Sequence, residues 1–153
     1  MDWIDKMLER ISNPQIFSIN KMRTRRKFKN LIKNYPTRPI YVPLKTLYPN
    51  HKLNTTASIR KMNRRITTLT ENSGAIVNSG YITLLQEKIL IPSMDVMTVT
   101  CDKNGKYSVI SGNGRYYALL HALRDYPHLL VQVNFVDHYG NTAVLNALEI
   151  SKE

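Results

Sequence analysis

Residues 108–123 read SVISGNGRYYALLHAL: a short apolar piece, two glycines around an asparagine, an arginine, and then a helical pattern. A strand that enters a helix through a glycine turn can hold an anion. The first backbone N–H groups of a helix have no acceptor within it, they converge on the turn, and the helix dipole stands behind them. Gly112 and Gly114 admit close approach, and Asn113 tolerates left-handed backbone. Arg115 is the unexpected residue. A helix start already carries about half a positive charge, so an arginine there either points into solvent or shares the turn with something negative. Gly112, Asn113, Gly114 and Arg115 are therefore the candidate phosphate- or nucleotide-binding residues.

A second candidate chemistry is polyanion binding. The run KMRTRRKFK (residues 21–29) places Lys21, Arg23, Arg25, Arg26, Lys27 and Lys29 within nine residues, with no acid between them. Such a segment repels itself unless a polyanion neutralises it. Arg60, Lys61, Arg64 and Arg65 form a second cluster, opposite an apolar stripe of Ile59, Met62, Ile66 and Leu69. The net charge of +11 is segregated: residues 1–69 hold 16 Lys/Arg against 3 Asp/Glu, and residues 70–153 hold 6 against 8. Segregation of this kind reads as a binding surface for a polyanion: nucleic acid, whose phosphate contacts with Lys and Arg need no sequence reading, or else an acidic protein surface or anionic membrane, with a solvated helix face as the alternative for Arg60–Arg65.

No catalytic or metal-binding set accompanies these residues. His51, His121, His128 and His138 lie apart, and Asp95, Asp102, Asp125 and Asp137 fall mostly in or beside turns. No glycine-flanked serine elbow is present. The single cysteine, Cys101, forms no internal disulfide and no zinc motif, and reads as a small buried strand residue. One thiol fits a reducing, intracellular setting: cytoplasm, nucleus, organelle matrix or virion. No apolar run approaches the roughly 20 residues of a membrane span, and MDWIDKMLER lacks the apolar core of a secretory signal.

The elements that position these residues follow from periodicity and punctuation. Trp3, Ile4, Met7, Leu8 and Ile11 share a helical face, stopped by Asn13-Pro14. Phe28, Leu31, Ile32 and Tyr35 share another, before Pro36 and Pro39. IYVPL (40–44) predicts an edge strand with a proline, and LYPN (47–50) a turn. Thr55 or Thr56 caps the helix carrying Arg60 to Arg65, which Gly74 closes. Tyr81, Leu84, Leu85, Lys88 and Ile89 suggest a short helix. MDVMTVT (94–100) and Tyr107–Ser111 form a hairpin around Asp102-Lys103-Asn104-Gly105. After the glycine turn, Tyr116, Leu119, Leu120 and Leu123 face inward, VQVNFV (131–136) is a strand, and Asn141 caps a last helix through Val144, Leu145 and Leu148. The chain divides into a basic helical extension, residues 1–37, and an α+β domain, residues 38–153.

The order of VPLKTLYPN (42–50), the helix near ASIRKMNRRITTL, MDVMTVTCDKNGKYSVISGNGRYYALLHAL (94–123) and VQVNFV resembles the ParB/sulfiredoxin-like domain over roughly residues 40–150. The most specific piece is DKNGKYSVISGNGRYYAL. The resemblance implies a small mixed sheet with packed helices, in the manner of ParB N-terminal domains. In ParB-type proteins the corresponding turn binds nucleotide phosphates and its acidic residue helps hold a metal; in sulfiredoxins it carries the catalytic cysteine. Asn113 stands at that position. It is neither a nucleophile nor an anionic metal ligand, so the turn keeps the anion cradle without the chemistry. ParB-type domains are followed by a helix-turn-helix DNA reader, which is not expected here.

Three functions fit these residues. The first is a non-catalytic nucleic-acid-associated protein, for DNA or RNA, with the basic arm and Arg60–Arg65 holding phosphates. The second is a structural component of a large assembly, a virion or a ribonucleoprotein particle, in which the fold is a scaffold for neighbouring proteins. The third is a CTP- or ATP-binding switch or nuclease, for which the turn lacks its acid. A nucleotide is the one cofactor the turn would suit, and no metal is expected.

Overall fold

The computed structural model describes residues 28–49, 53, 55–83 and 96–151. Expectations for residues 1–27, among them the first helix, and for residues 84–95 lie outside them.

The sheet is built on β6 (Leu130–Val136). One edge of β6 pairs antiparallel with β1 (Thr37–Pro43) along its whole length, from Thr37 opposite Val136 to Pro43 opposite Leu130. The other edge pairs parallel with two strands in line: β3 (Tyr81–Ile82) at its start and β4 (Thr98–Cys101) at its end. β4 then pairs antiparallel with β5 (Tyr107–Ser111), and β5 parallel with β2 (Leu47–Pro49). The strand order is β1-β6-β4-β5-β2, with β3 beside β6. The α+β class and the mixed sheet therefore agree with the sequence reading.

β1 occupies an edge, as its prolines require: Pro39 and Pro43 have no N–H to offer a second neighbour. The β4–β5 hairpin turns at Gly105, whose φ is +77°. There Asp102 Oδ1 accepts the N–H groups of Asn104 at 2.8 Å and Lys106 at 2.9 Å, so the side chain closes the turn that the Asp-Lys-Asn-Gly sequence announces.

Two expectations are corrected. Residues 47–49 are strand β2 rather than turn, because pairing with β5 outweighs the local turn preference of Tyr-Pro-Asn. The helix α1 (Thr56–Glu71) is not closed by Gly74. Asn72 ends it, donating its Nδ2 to Thr68 O at 2.8 Å, and a second helix, α2 (Ser73–Ser79), runs through Gly74 to a left-handed Gly80. The chain from 81 starts as β3, not helix, and the remainder of that expected helix is outside the described residues. The caps at Thr55, whose Oγ1 accepts the Ser58 N–H at 3.0 Å, and at Asn141, whose Oδ1 accepts the Val144 N–H at 3.2 Å, are where the sequence puts them.

Helix α3 (Asn113–Leu123) lies against one face of the sheet and α1 packs on α3. This makes α3 the middle layer, and the expected inward residues Tyr116, Leu119, Leu120 and Leu123 are joined by Tyr117 and Ala118, all buried. The main core unites them with Met62 and Leu69 of α1, Ile76 of α2 and the strand residues Val42, Val99, Val109, Val131 and Val133. A second core occupies the other face. There Val144 and Leu148 of α4 (Thr142–Ser151) meet Ile110, Val136 and two residues of the helical segment 28–32, Phe28 and Ile32. Leu31 of that segment is exposed. The C-terminal end of the basic extension is thereby packed against the sheet.

Within the main core a buried hydroxyl ties helix to sheet. Tyr116 donates from its OH to Leu47 O at 3.2 Å, tying α3 to strand β2. Burial, and secondarily Tyr117, push this phenol well above the ordinary tyrosine value of 10.0. In the unfolded chain Tyr116 would ionise near its ordinary value while the folded state keeps the proton, so its contribution to stability is full below pH 10 and is lost as pH rises above it. Replacing Tyr116 by Phe should cost about 1 kcal/mol at pH 7 and flatten the fall of stability between pH 9 and 11, measured by urea denaturation at each pH.

Candidate functional site

Strand β5 ends at Ser111 and α3 begins two residues later. Gly112 makes the change of direction with φ +97° and ψ +29°, a left-handed conformation that side chains resist. Space forbids a side chain as well: a Cβ on Gly112 would stand 2.9 Å from Met97 Cγ and 3.3 Å from Met97 Cα. Met97 itself is fully buried, so it has nowhere to retreat. The first helical bond follows at once, Tyr116 N–H to Gly112 O at 2.9 Å. No side chain caps this helix and its first turn holds no acid.

Asn113 turns inward. Its Nδ2 donates to Val109 O at 3.2 Å and the residue is 3% exposed. This side chain ties the helix back to the strand that feeds it. Arg115 is 4% exposed, which removes the possibility that it points into solvent. A guanidinium at that depth requires negative or acceptor groups around it.

Above Gly114 lies the residue that links the two candidate sites. A Cβ on Gly114 would meet Arg65 Nη1 at 3.0 Å and the Leu53 methyl carbons at 3.9 Å. Arg65 belongs to the basic cluster on α1, so the packing of α1 on α3 brings a second guanidinium onto the start of α3. The Arg65 guanidinium thus lies over the N-terminal turn of α3. The other members of the α1 cluster continue from there. At 100° per residue, Arg60, Arg64, Lys61 and Arg65 sweep an arc of about 140°. Arg60, Lys61 and Arg64 are exposed and Arg65, next to α3, is half-buried. None of the three exposed residues forms an ion pair with a described residue.

Of the N-terminal basic run, Lys21, Arg23, Arg25, Arg26 and Lys27 lie outside the described residues. Lys29 is exposed on the helical segment 28–32, on the opposite face of the sheet from α1. The structure thus unites the glycine turn with Arg65 and the α1 cluster, and sets Lys29 apart from them.

The remaining nucleophilic and titratable groups among the described residues lie apart from the turn. Cys101 is half-buried on β4, with burial and the neighbouring Asp102 both raising its thiol. His138 is buried, its Nε2 2.7 Å from Cys101 O; it contacts the backbone of Cys101, and no motif in the sequence marks that pairing. Tyr48 is raised strongly by burial and then by Asp102, which keeps its hydroxyl protonated. Among the described residues no group of three or more His, Cys, Asp or Glu is placed to hold a metal ion, and no helix is long and apolar enough to cross a membrane.

Comparison of the chain with protein-family models, with curated proteins and with solved structures finds no match.

The turn's geometry carries a sharp test. Gly112→Ala meets both a left-handed backbone and Met97, and should lose about 2–4 kcal/mol in urea denaturation. Gly105→Ala has the same sign of φ but nothing within 4 Å of its Cβ, and should lose only about 1–2 kcal/mol. Equal losses at the two positions would show that the Met97 contact is immaterial.

Proposed function

We propose that the protein is a non-catalytic nucleic-acid-binding protein whose phosphate-holding surface is the outer face of α1 together with the glycine turn at the start of α3. One observation carries this reading: Arg65 Nη1 stands 3.0 Å from the Cβ position of Gly114. It joins a basic helix face to a helix N-terminus, the two kinds of group that hold phosphate oxygens in protein–nucleic-acid contacts. Arg60, Lys61 and Arg64 extend the same surface into solvent, where backbone phosphates can reach them without base reading. The basic run at residues 21–29 adds charge of the same sign. The resemblance to ParB/sulfiredoxin-like domains supports a phosphate at residues 112–115, and the inward, neutral Asn113 supports binding without catalysis.

The binding would be independent of sequence and steeply dependent on salt. Affinity for a labelled oligonucleotide, measured by fluorescence anisotropy between 50 and 200 mM salt, is expected to fall by orders of magnitude. Replacing Arg60, Lys61 and Arg64 together by Gln should reduce the slope of log K against log salt by about 2–3. A slope unchanged by that triple substitution would remove α1 from the interface.

A second reading, a scaffold in a large assembly, is favoured by a different patch. Tyr41 and Tyr81 stack edge to face with centroids 6.1 Å apart, both close to half exposed, and Leu130 beside Tyr81 is also exposed. They lie on edge strand β1, on β3 and at the start of β6, where a neighbouring protein could cover them.

A further inference from the structure

Beneath the helical segment 28–32, on the sheet face away from α1, the surface opens into a groove of about 350 Å³. Its floor is apolar, made of Ile32, Ile110 and Val136. Its rim is not: Lys29 and Lys33, one helical turn apart, stand along one side with Tyr35. Both lysines are exposed and neither forms an ion pair with a described residue. Tyr35 is paired with a second aromatic, Tyr139, at a centroid separation of 6.4 Å.

Tyr139 is unusual twice over. It is 73% exposed, the most exposed of the large hydrophobic side chains among the described residues, and among them it is also the non-glycine residue with positive φ, +52°. The turn that presents it is held firmly: Asp137 Oδ1 accepts the Tyr139 N–H at 3.0 Å, His138 is buried, and Asn141 donates its N–H to His138 O at 3.0 Å. A fixed, strained turn that pushes a tyrosine ring into water beside another ring is what a stacking surface requires.

We propose that this groove takes an unstacked base of single-stranded nucleic acid, with Tyr35 at its edge and the exposed Tyr139 beside it offering ring faces to successive bases, and Lys29 and Lys33 holding the flanking phosphates. The occupant follows from the combination. Paired cations ask for phosphate, an apolar floor of this size asks for one flat ring system, and an exposed aromatic pair is sequence-tolerant because every base has a π-face. A duplex offers neither a free base face nor a profile that enters a groove of this volume. The groove also adjoins the site already described. Thr98 and Ser111 are paired across β4 and β5 and line the groove, and the next residues in the chain, Met97 and Gly112, form the floor of the glycine turn. A single strand crossing the end of the sheet would pass from the turn to the groove. This inference deepens the nucleic-acid reading above and names the strandedness of its ligand.

The test uses the full chain with a fluorescein-labelled oligo(dT) and a labelled duplex of equal length. Tyr139→Ala and Lys33→Gln alter exposed side chains, and thermal denaturation checks that each variant is folded. Tyr139→Ala is expected to weaken oligo(dT) binding about tenfold while leaving duplex binding unchanged, and Tyr139→Trp to restore it. Lys33→Gln should weaken oligo(dT) binding and reduce its salt slope by about one. Unchanged oligo(dT) affinity in both variants, or equal losses for single strand and duplex, overturns the proposal. The α1 triple substitution separates the two readings: if it weakens binding and the groove variants do not, the nucleic-acid function stands and the groove assignment fails. If the groove variants alone weaken binding, the groove stands and the α1 surface fails.

Discussion

The contact between Gly112 and Met97 fixes the direction in which the helices are laid over the sheet. The chain must leave the centre of the sheet at Ser111 and return over its face as α3, and the backbone passes so close to a fully buried Met97 that no side chain fits. That crossing sets where α3 starts. Because α3 is the middle layer, it also sets where α1 lies. Arg65 reaches Gly114 only because Gly112 has turned the chain there and because Gly114, too, has no side chain. Two glycines, one for conformation and closeness and one for closeness alone, thus convert a helix packing into an arrangement of charge.

Electrostatics and stability pull against each other at this site. The start of α3 lacks a capping side chain and an acidic first turn, either of which would stabilise it by about 0.5–2 kcal/mol. In their place stand a buried Arg115 and the guanidinium of Arg65. Asn113 is the compensation that can be named: its amide bond to Val109 O holds the strand-to-helix corner together from inside.

Much of this could be read in the sequence because the informative signals are local. The Asp-Lys-Asn-Gly hairpin, the Thr55 and Asn141 caps, and the apolar faces of α1 and α3 depend on residues within a few positions of one another. The failures share the opposite property. Residues 47–49 carry turn-forming types, yet become a strand because β5 lies beside them, some 60 positions away in the chain. Gly74 looked like a helix stop, but Asn72 had already ended α1, and an exposed Gly74 within α2 costs only about 1 kcal/mol. The meeting of Arg65 with Gly114, and of Tyr35 with Tyr139, are tertiary contacts between segments tens of residues apart, and no periodicity reports them. The one local trace of the groove was the spacing of Lys29 and Lys33, which places both on one side of a helix.

The distribution of charge over the two sheet faces has a mechanical consequence. The α1 surface and the groove lie on opposite faces, so a rigid duplex lying on one could not engage the other without a sharp bend, which costs several kcal/mol over a site of 20–30 base pairs. A single strand has no such stiffness and could turn around the end of the sheet where Thr98, Ser111 and the glycine turn are adjacent. Both sites are then served by one ligand only if that ligand is flexible. The linkage between them would be of the effective-concentration kind: once one site holds the strand, the second binds it as an intramolecular event. The fold itself need not move for this to happen, since the turn, the Met97 contact and the β4–β5 pairing hold the two sites at a fixed separation.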